Sequence, residues 1–316
     1  MHCINVHLYF DLSLIILSMG VTKEVFGKIK NPKTGKETEA FRYTLSSAKG
    51  VIIKVLSIGA TLSSVELPDR NGRSNHVVLG FDSVDDYVKK NYIGNTIGRF
   101  ANRIKSGKFE LGGKSYQLTV NNNGNHLHGG ETGWDKVSYS LEEDGGLHID
   151  FQAMSSNPTP INLTNHAFFN LAGHDKGQKG LFEHDFQVLA DSYLPVTNDS
   201  IPTGVIEPVS GTPFDLRKTR NAQDVMSKAP NEGYDHCFCF TTKKRGELGL
   251  AAVFSHPPSG RKLEVFTTEP GLQVYTGNFM PKDSKEMVGR GNIPYTYQGA
   301  FCLEPQNYPD AVNKDL

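Results

Sequence analysis

The sequence predicts an all-β protein, a large antiparallel β-sandwich, and three observations carry that prediction. Apolar residues alternate with polar ones instead of recurring with a helical period: Val51, Ile53 and Val55; Leu147, Ile149 and Phe151; Leu263, Val265 and Thr267. The 32 glycines and 16 prolines interrupt the chain at short intervals, as turns between short strands do. Amphipathic helical runs are scarce, with Ser83–Lys89 the one short candidate.

Taken in order, the chain begins with an apolar run from Leu12 to Leu17 (LSLIIL). That run falls short of the about 20 residues a membrane helix needs. Asp11 precedes it and no Lys or Arg does, which argues against a secretory signal. Met19-Gly20 follows, but Glu24 stands where a myristoylation signal requires Ser or Thr. Residues 1–18 are therefore expected to be an extension, and residues 19–316 one domain. Further on, Phe109 and Leu111 precede Gly112-Gly113, and Tyr116 and Leu118 follow, which predicts a hairpin. No internal repeat and no linker divides the rest.

Composition bounds the function. With 316 residues, 37% of them hydrophobic, the chain can bury a substantial core. Its 33 basic and 34 acidic residues leave a net charge of −1, no footprint for nucleic acid or an anionic membrane. A neutral small molecule is the better partner. Cys3, Cys237, Cys239 and Cys302 form neither a CxxC nor a spaced framework, so reduced thiols and a cytoplasmic location are expected.

Several segments place His, Asn, Asp or Glu within apolar strands or beside glycines. GRFANRI holds Arg99, Asn102 and Arg103; NNNGNHLHGG holds His126 and His128; NLTNHAFFNLAG holds His166; GYDHCF holds Asp235 and His236. Gln273 lies in the alternating run Leu272–Tyr275, and Glu304 follows three apolar residues in FCLEPQNY. Each has a structural explanation: Asn121–Asn123 suit a turn, a lone His in a strand is commonly a hydrogen-bonded core residue, and Arg103 can pair with a surface carboxylate. Glu304 resists such an explanation, because a carboxylate among apolar residues is rarely tolerated without a partner or a task. His126 and His128 are two potential metal ligands where a site needs three or four, and no HExxH is present, so no metal is expected. Together these side chains suit a polyhydroxylated ligand, with Phe168, Trp134 and Tyr275 as candidate covers for a sugar ring. Glycosidases and other sugar enzymes remain open at this point.

In order, IGATLSSVELPDRNGRSNHVVLGFDS, GRFANRI, HLHGG, NLTNHAFFNLAG, YLPVTNDSIPTG, FDLR, GYDH, PGLQVYTGNF and LEPQNYPDAVN resemble the aldose 1-epimerase (galactose mutarotase) family, from about Phe26 to Asn313. The resemblance implies a mutarotase-like β-sandwich with an open sugar cleft, acting on free hexoses without a cofactor. It implies Glu304 as general base at the anomeric hydroxyl and His166 as general acid at the ring oxygen. His128 is implied as a second donor there, with Asn102, Arg103, Asp235 and Gln273 holding sugar hydroxyls. A His near pKa 6.5 and a Glu near 4.3 would then hold opposite protonation states at neutral pH.

Three departures from the family pattern carry expectations. GWDKVSYSLEEDGGLHIDF joins Trp134 directly to the Asn162 segment, omitting what looks like two or three strands. The chain stops at Asn313-Lys314-Asp315-Leu316, and Phe168 stands in place of a Tyr. Omitted inner strands would expose apolar faces and unpaired edges, giving a less stable, aggregation-prone protein. The rival functions are a hexose-6-phosphate 1-epimerase, which needs more converging cations than Arg103, and a sugar-binding variant without turnover. A retaining glycosidase needs a second carboxylate about 5–5.5 Å from the first. A monomer or weak dimer is expected.

Overall fold

A computed structural model describes residues 20–30, 35–90, 92–130, 136–153, 155, 157–242 and 244–314. Strands dominate these residues. A five-stranded antiparallel sheet runs in sequence order through Val21–Lys30, Glu37–Ser46, Ile52–Leu56, Thr61–Pro68 and Ser74–His76. A second five-stranded sheet is ordered Glu207–Pro208, Ser192–Tyr193, Asp235–Cys239, Gly271–Tyr275, Cys302–Gln306. A four-stranded sheet follows the order Arg220–Asn221, Asp185–Val188, Gly249–His256, Arg261–Thr267. The architecture is the expected all-β arrangement of packed antiparallel sheets.

The local predictions map onto real elements. Phe109 pairs with Tyr116 across the hairpin Lys108–Leu111/Lys114–Gln117, and Gly112 and Gly113 both take the positive φ that its turn demands. The helix Val84–Lys89 is capped by Ser83, whose hydroxyl accepts from the Asp86 N–H, with Asp85 and Asp86 in its first turn. Among the described residues, no helix is long and apolar enough to cross a membrane.

Alternation places the core. In the second sheet Phe238, Leu272, Val274 and Leu303 point one way, against Phe186, Val188, Ala252 and Phe254 of the four-stranded sheet. Phe186 and Phe254 stack at 4.0 Å between ring centroids, and Phe301 packs on both. Residues between them in sequence, including Asp235, Gln273 and Glu304, therefore project from the opposite face.

A second cluster closes less completely. Leu45, Val51, Ile53, Val55 and Leu62 of the first sheet pack against Val137, Tyr139 and Leu141 of the hairpin Lys136–Leu141/Leu147–Gln152. Beyond that hairpin, a cleft of about 2180 Å³ opens between Leu147–Gln152 and Arg261–Thr267. Leu147, Ile149, Phe151, Leu263 and Val265 are consequently only half-buried despite their clean alternation.

Candidate active site

Sheet register assembles one side of the site. Glu304 stands directly opposite Gln273 on adjacent strands, and Asp235 lies diagonally across from Gln273. The Gln273 side-chain amide donates to Asp235 Oδ1 at 2.7 Å. Arg103 reaches in from a separate two-residue ladder, where it pairs with Leu127, and places Nη1 3.6 Å from Asp235 Oδ2.

The other side comes from loops held by backbone bonds. His166 follows the strand Thr164–Asn165; its N–H donates to Asn95 O at 2.9 Å and its carbonyl accepts from Gly94. That anchoring sets His166 Nε2 3.7 Å from Glu304 Oε1. The His128 ring lies 5.2 Å from that of His166, edge to face. Asn102 and His128 both adopt left-handed backbone, at φ 63° and 52°. Such strain in non-glycine residues persists where the surroundings enforce it, often at functional sites. Here the two residues hold each other: the Asn102 N–H donates to His128 Nδ1 at 3.2 Å, and the His128 N–H donates to Asn102 O at 3.1 Å.

Burial sets the charge states. Glu304 is 2% exposed, and desolvation pushes its carboxyl well above the usual range, with the Asp235 charge adding to the shift and Arg103 opposing it. Desolvation also lowers His166, to about 4. His128 is pushed down too, by burial first and then by the neighbouring His166 and Arg103. The ordering expected from free amino acids is thus reversed: the carboxyl, not the imidazole, holds the proton more tightly. Across the interval between the two values the pair still carries one proton, so the titration belongs to the pair.

Polar atoms in this region remain unpaired by protein. Arg103 Nε, Gln273 Oε1 and Glu304 Oε2 are buried without a hydrogen-bond partner among the described residues. Unsatisfied buried groups are costly, and their convergence fits a ligand bearing several hydroxyls. A metal fits less well. His128, His166 and Glu304 offer ligand atoms within 4.8 Å of one another, a grouping different from the His126/His128 pair singled out in the sequence. Because His128 Nδ1 accepts from Asn102, the proton of the neutral ring sits on Nε2. His128 is then a hydrogen-bond donor whose second nitrogen has no free lone pair for a metal.

The structure brings together all seven of the predicted site residues: Asn102, Arg103, His128, His166, Asp235, Gln273 and Glu304. It leaves others out. Arg99 is exposed. His126 donates from Nδ1 to Thr119 O at 2.9 Å as a structural residue, and His236 is buried beside Phe214 on the core face. Phe168 is not a cover for a sugar ring: it is buried and stacks on His166 at 4.9 Å, 16° from parallel. Tyr275 is buried as well, its hydroxyl accepting from the Phe279 N–H at 2.8 Å. Trp134 lies outside the described residues.

Three residues escaped the sequence reading. Asn162 ties two site-bearing segments together, donating to Ala101 O and Asn307 O at 3.2 Å while accepting from the Asn307 N–H at 2.8 Å. Tyr92 sets its ring 4.9 Å from that of His128. Phe279, 68% exposed, stacks at 6.0 Å on Tyr275, placing an open aromatic face beside the site. An exposed Phe in a TGNF turn was the available signal for the last; the other two become visible only in three dimensions.

Comparison with known proteins agrees with this geometry. The family model described as aldose 1-epimerase matches residues 42–136 and 134–316. Galactose mutarotase of Mus musculus is 39% identical over 330 aligned positions, covering 94% of this chain and 92% of the relative. Aldose 1-epimerase of Escherichia coli K12 is 31% identical over 325 positions, covering 90% and 91%. Among solved structures, the aldose epimerase homologue from C. elegans superposes with a TM-score of 0.75 at 28% identity, covering 86% of this chain and 91% of that one. Galactose 1-epimerase from Lactobacillus acidophilus gives 0.74 at 28%, covering 94% and 93%. The alignment to the mouse protein is longer than the 316 residues of this chain, so it includes stretches of the relative that have no counterpart here. The family match also divides in two at residues 134–136, the place where the sequence shows its shortened connection. With nearly the whole chain matched and the site residues gathered in one place, the protein belongs to the aldose 1-epimerase family.

Proposed function

We propose that the protein interconverts the α and β anomers of free aldoses such as glucose and galactose, with Glu304 and His166 exchanging protons with the sugar. The observation that carries this reading is the 3.7 Å approach of His166 Nε2 to Glu304 Oε1 inside a cleft of unpaired polar atoms. Anomer exchange requires the C1–O5 bond to break as C1–O1 becomes a carbonyl. The carboxylate of Glu304 accepts the proton of the O1 hydroxyl, and imidazolium His166 delivers one to O5. Rotation about C1–C2 turns the other face of the aldehyde toward O5, and the reverse transfers close the ring as the other anomer.

With one proton shared between Glu304 and His166, the pair holds what this cycle needs. A sugar donating from O1–H to the carboxylate and accepting at O5 from the imidazolium stabilises the charged arrangement over the neutral one. Arg103, Asp235 and Gln273 orient hydroxyls, and His128 Nε2–H is a second donor toward the ring oxygen. Positioned proton transfer of this type contributes about 10²–10⁴-fold. The three described cysteines, Cys237, Cys239 and Cys302, are buried free thiols, which suits a reducing, cytoplasmic setting.

The test is polarimetry or NMR of freshly dissolved α-D-glucose and α-D-galactose with purified protein, glucose 6-phosphate serving as the comparison. Faster approach to anomeric equilibrium with the free sugars is expected. Sugar binding without acceleration would refute the catalytic assignment.

A further inference from the structure

Asn102 and Arg103, both expected to hold sugar hydroxyls, sit on a stretch of chain with little regular structure of its own. Arg103 and Ile104 form a two-residue ladder with Leu127 and His126. So short a ladder fixes little by itself, since even an isolated two-stranded hairpin is marginal in water. Asn102 adds the strain of left-handed backbone, at φ 63°. Contacts from outside the ladder therefore have to set where Arg103 stands relative to Asp235 and Glu304.

The chain that follows Glu304 supplies those contacts and grips the stretch at both ends. Ahead of Asn102, the Asn162 side chain bridges Ala101 O to the Asn307 backbone, as described above. Beyond Arg103, Asp310 makes the second grip. Its N–H donates to Arg103 O at 2.9 Å, and its Oδ1 accepts from the Lys105 N–H at 3.0 Å. Asn313 steadies Asp310 in turn. The Asn313 Nδ2 donates to the same Oδ1 at 2.7 Å and to Lys108 O at 2.9 Å, and its N–H donates to Asp310 O at 2.9 Å. Residues 101–105 are thus pinned to residues 307–313, the continuation of the strand Cys302–Gln306 that carries Glu304.

Stability alone would not favour an aspartate at this position. Asp310 is 0% exposed and takes left-handed backbone at φ 55°. Its Oδ2 has no hydrogen-bond partner among the described residues, a cost for a buried carboxylate. Glycine would adopt the same backbone without strain and bury no polar oxygen. What glycine lacks is the acceptor for the Lys105 N–H. We propose that Asp310 is a positioning residue for the anomer exchange proposed above, on which this inference rests. It fixes the Arg103 segment against the Glu304 strand, so that the guanidinium meets sugar hydroxyls at a set distance from the reacting carboxylate. Asp310 itself touches no reacting atom and acts on binding. Losing a contact made equally in the ground and transition states raises KM and leaves kcat.

The test uses the full chain and two variants. Asp310→Gly deletes the side chain and keeps the backbone conformation; Asp310→Asn keeps an oxygen for the Lys105 N–H. In the Gly variant KM for galactose should rise roughly tenfold or more while kcat falls less than about threefold, and Asn should bring KM back near the parent value. A protein that is merely less stable loses kcat with its folded fraction and keeps its KM; that result overturns the proposal, as does an Asn variant as impaired as the Gly one. Hydrogen–deuterium exchange of the Lys105 amide reads the clasp without reference to activity. It should be slow in the parent and the Asn variant and faster by roughly tenfold in the Gly variant; equal exchange in all three overturns the clasp. A parent that does not speed anomer exchange refutes the functional reading and this inference with it, and Lys105 exchange tells that outcome from a failure of the clasp alone. Should Asp310→Gly not fold, Asn313→Ala, at an exposed position, replaces it. A smaller rise in KM with kcat kept is then expected, and unchanged KM with unchanged Lys105 exchange overturns the proposal.

Discussion

The face bearing Glu304 and the face turned to the Leu147–Gln152 cleft are built on the same rule and end in opposite states. Both are strand faces whose side chains repeat every second residue. On the first, Gln273 and Glu304 are buried polar groups, each with an oxygen that has no partner among the described residues, beside a half-buried Asp235. On the second, Leu147, Ile149, Phe151, Leu263 and Val265 are apolar groups left half-covered. Each face is unfinished with respect to the protein's own described residues, one electrostatically and the other hydrophobically. The comparison teaches that alternation fixes which residues share a face, whereas the opposing layer fixes what that face does.

The largest effect is expected at the polar face. Glu304→Gln keeps the shape and removes the base, so turnover should fall by roughly 10²–10⁴ while sugar binding survives; retention of most of the turnover would remove Glu304 from the mechanism. The same variant should be more heat-stable than the parent at alkaline pH. Glu304 has a folded-state pKa raised above its unfolded value, so the native protein binds the extra proton in that interval and stability falls as pH rises through it. The advantage of the variant should therefore shrink toward pH 4.5, which thermal midpoints across pH will measure.

Next in size is the contrast between a closed core and the cleft. Phe254, fully buried against Phe186, should cost about 3–5 kcal/mol when changed to Ala. Val265→Ala in the cleft should cost about 1 kcal/mol or less if that wall stays half-covered. Urea titration of both variants reads the difference. A Val265 cost approaching about 2 kcal/mol would mean that this wall of the cleft is covered in solution.

The smallest effect is a displacement of the pH profile. With ordinary values, a His acid and a Glu base would be correctly charged only between about 4.3 and 6.5. With Glu304 raised and His166 lowered to about 4, His166 sets the acid limit of the singly protonated pair and Glu304 its alkaline limit, the reverse of the order in water. Activity should fall on the acid side near pH 4 and on the alkaline side as the Glu304 carboxyl loses its proton. The Asp235 charge raises both groups, so Asp235→Asn should move both limbs to lower pH. A profile without an acid limb near pH 4 in the parent, or one that does not move in the variant, contradicts the burial argument.

Much was legible in the amino-acid sequence alone. Leu147–Gln152 and Arg261–Thr267 follow from their alternation, the hairpin at 108–117 from Gly112-Gly113, and the helix Val84–Lys89 lies within the one short helical run, Ser83–Lys89. The site residues were named from motifs in their order, since a motif records side-chain chemistry directly. What the tertiary structure alone decided is how distant segments meet. Asn162 joins residues 101 and 307, and Gln273 meets Asp235 across a sheet. Phe168 turns out to buttress His166 instead of covering a ligand. The reversed proton order of Glu304 and His166 belongs to the same class. Reference pKa values are properties of a side chain in water, and the sequence supplies only those. Desolvation depends on every layer packed around the pair, and that enclosure exists only once the strands have come together.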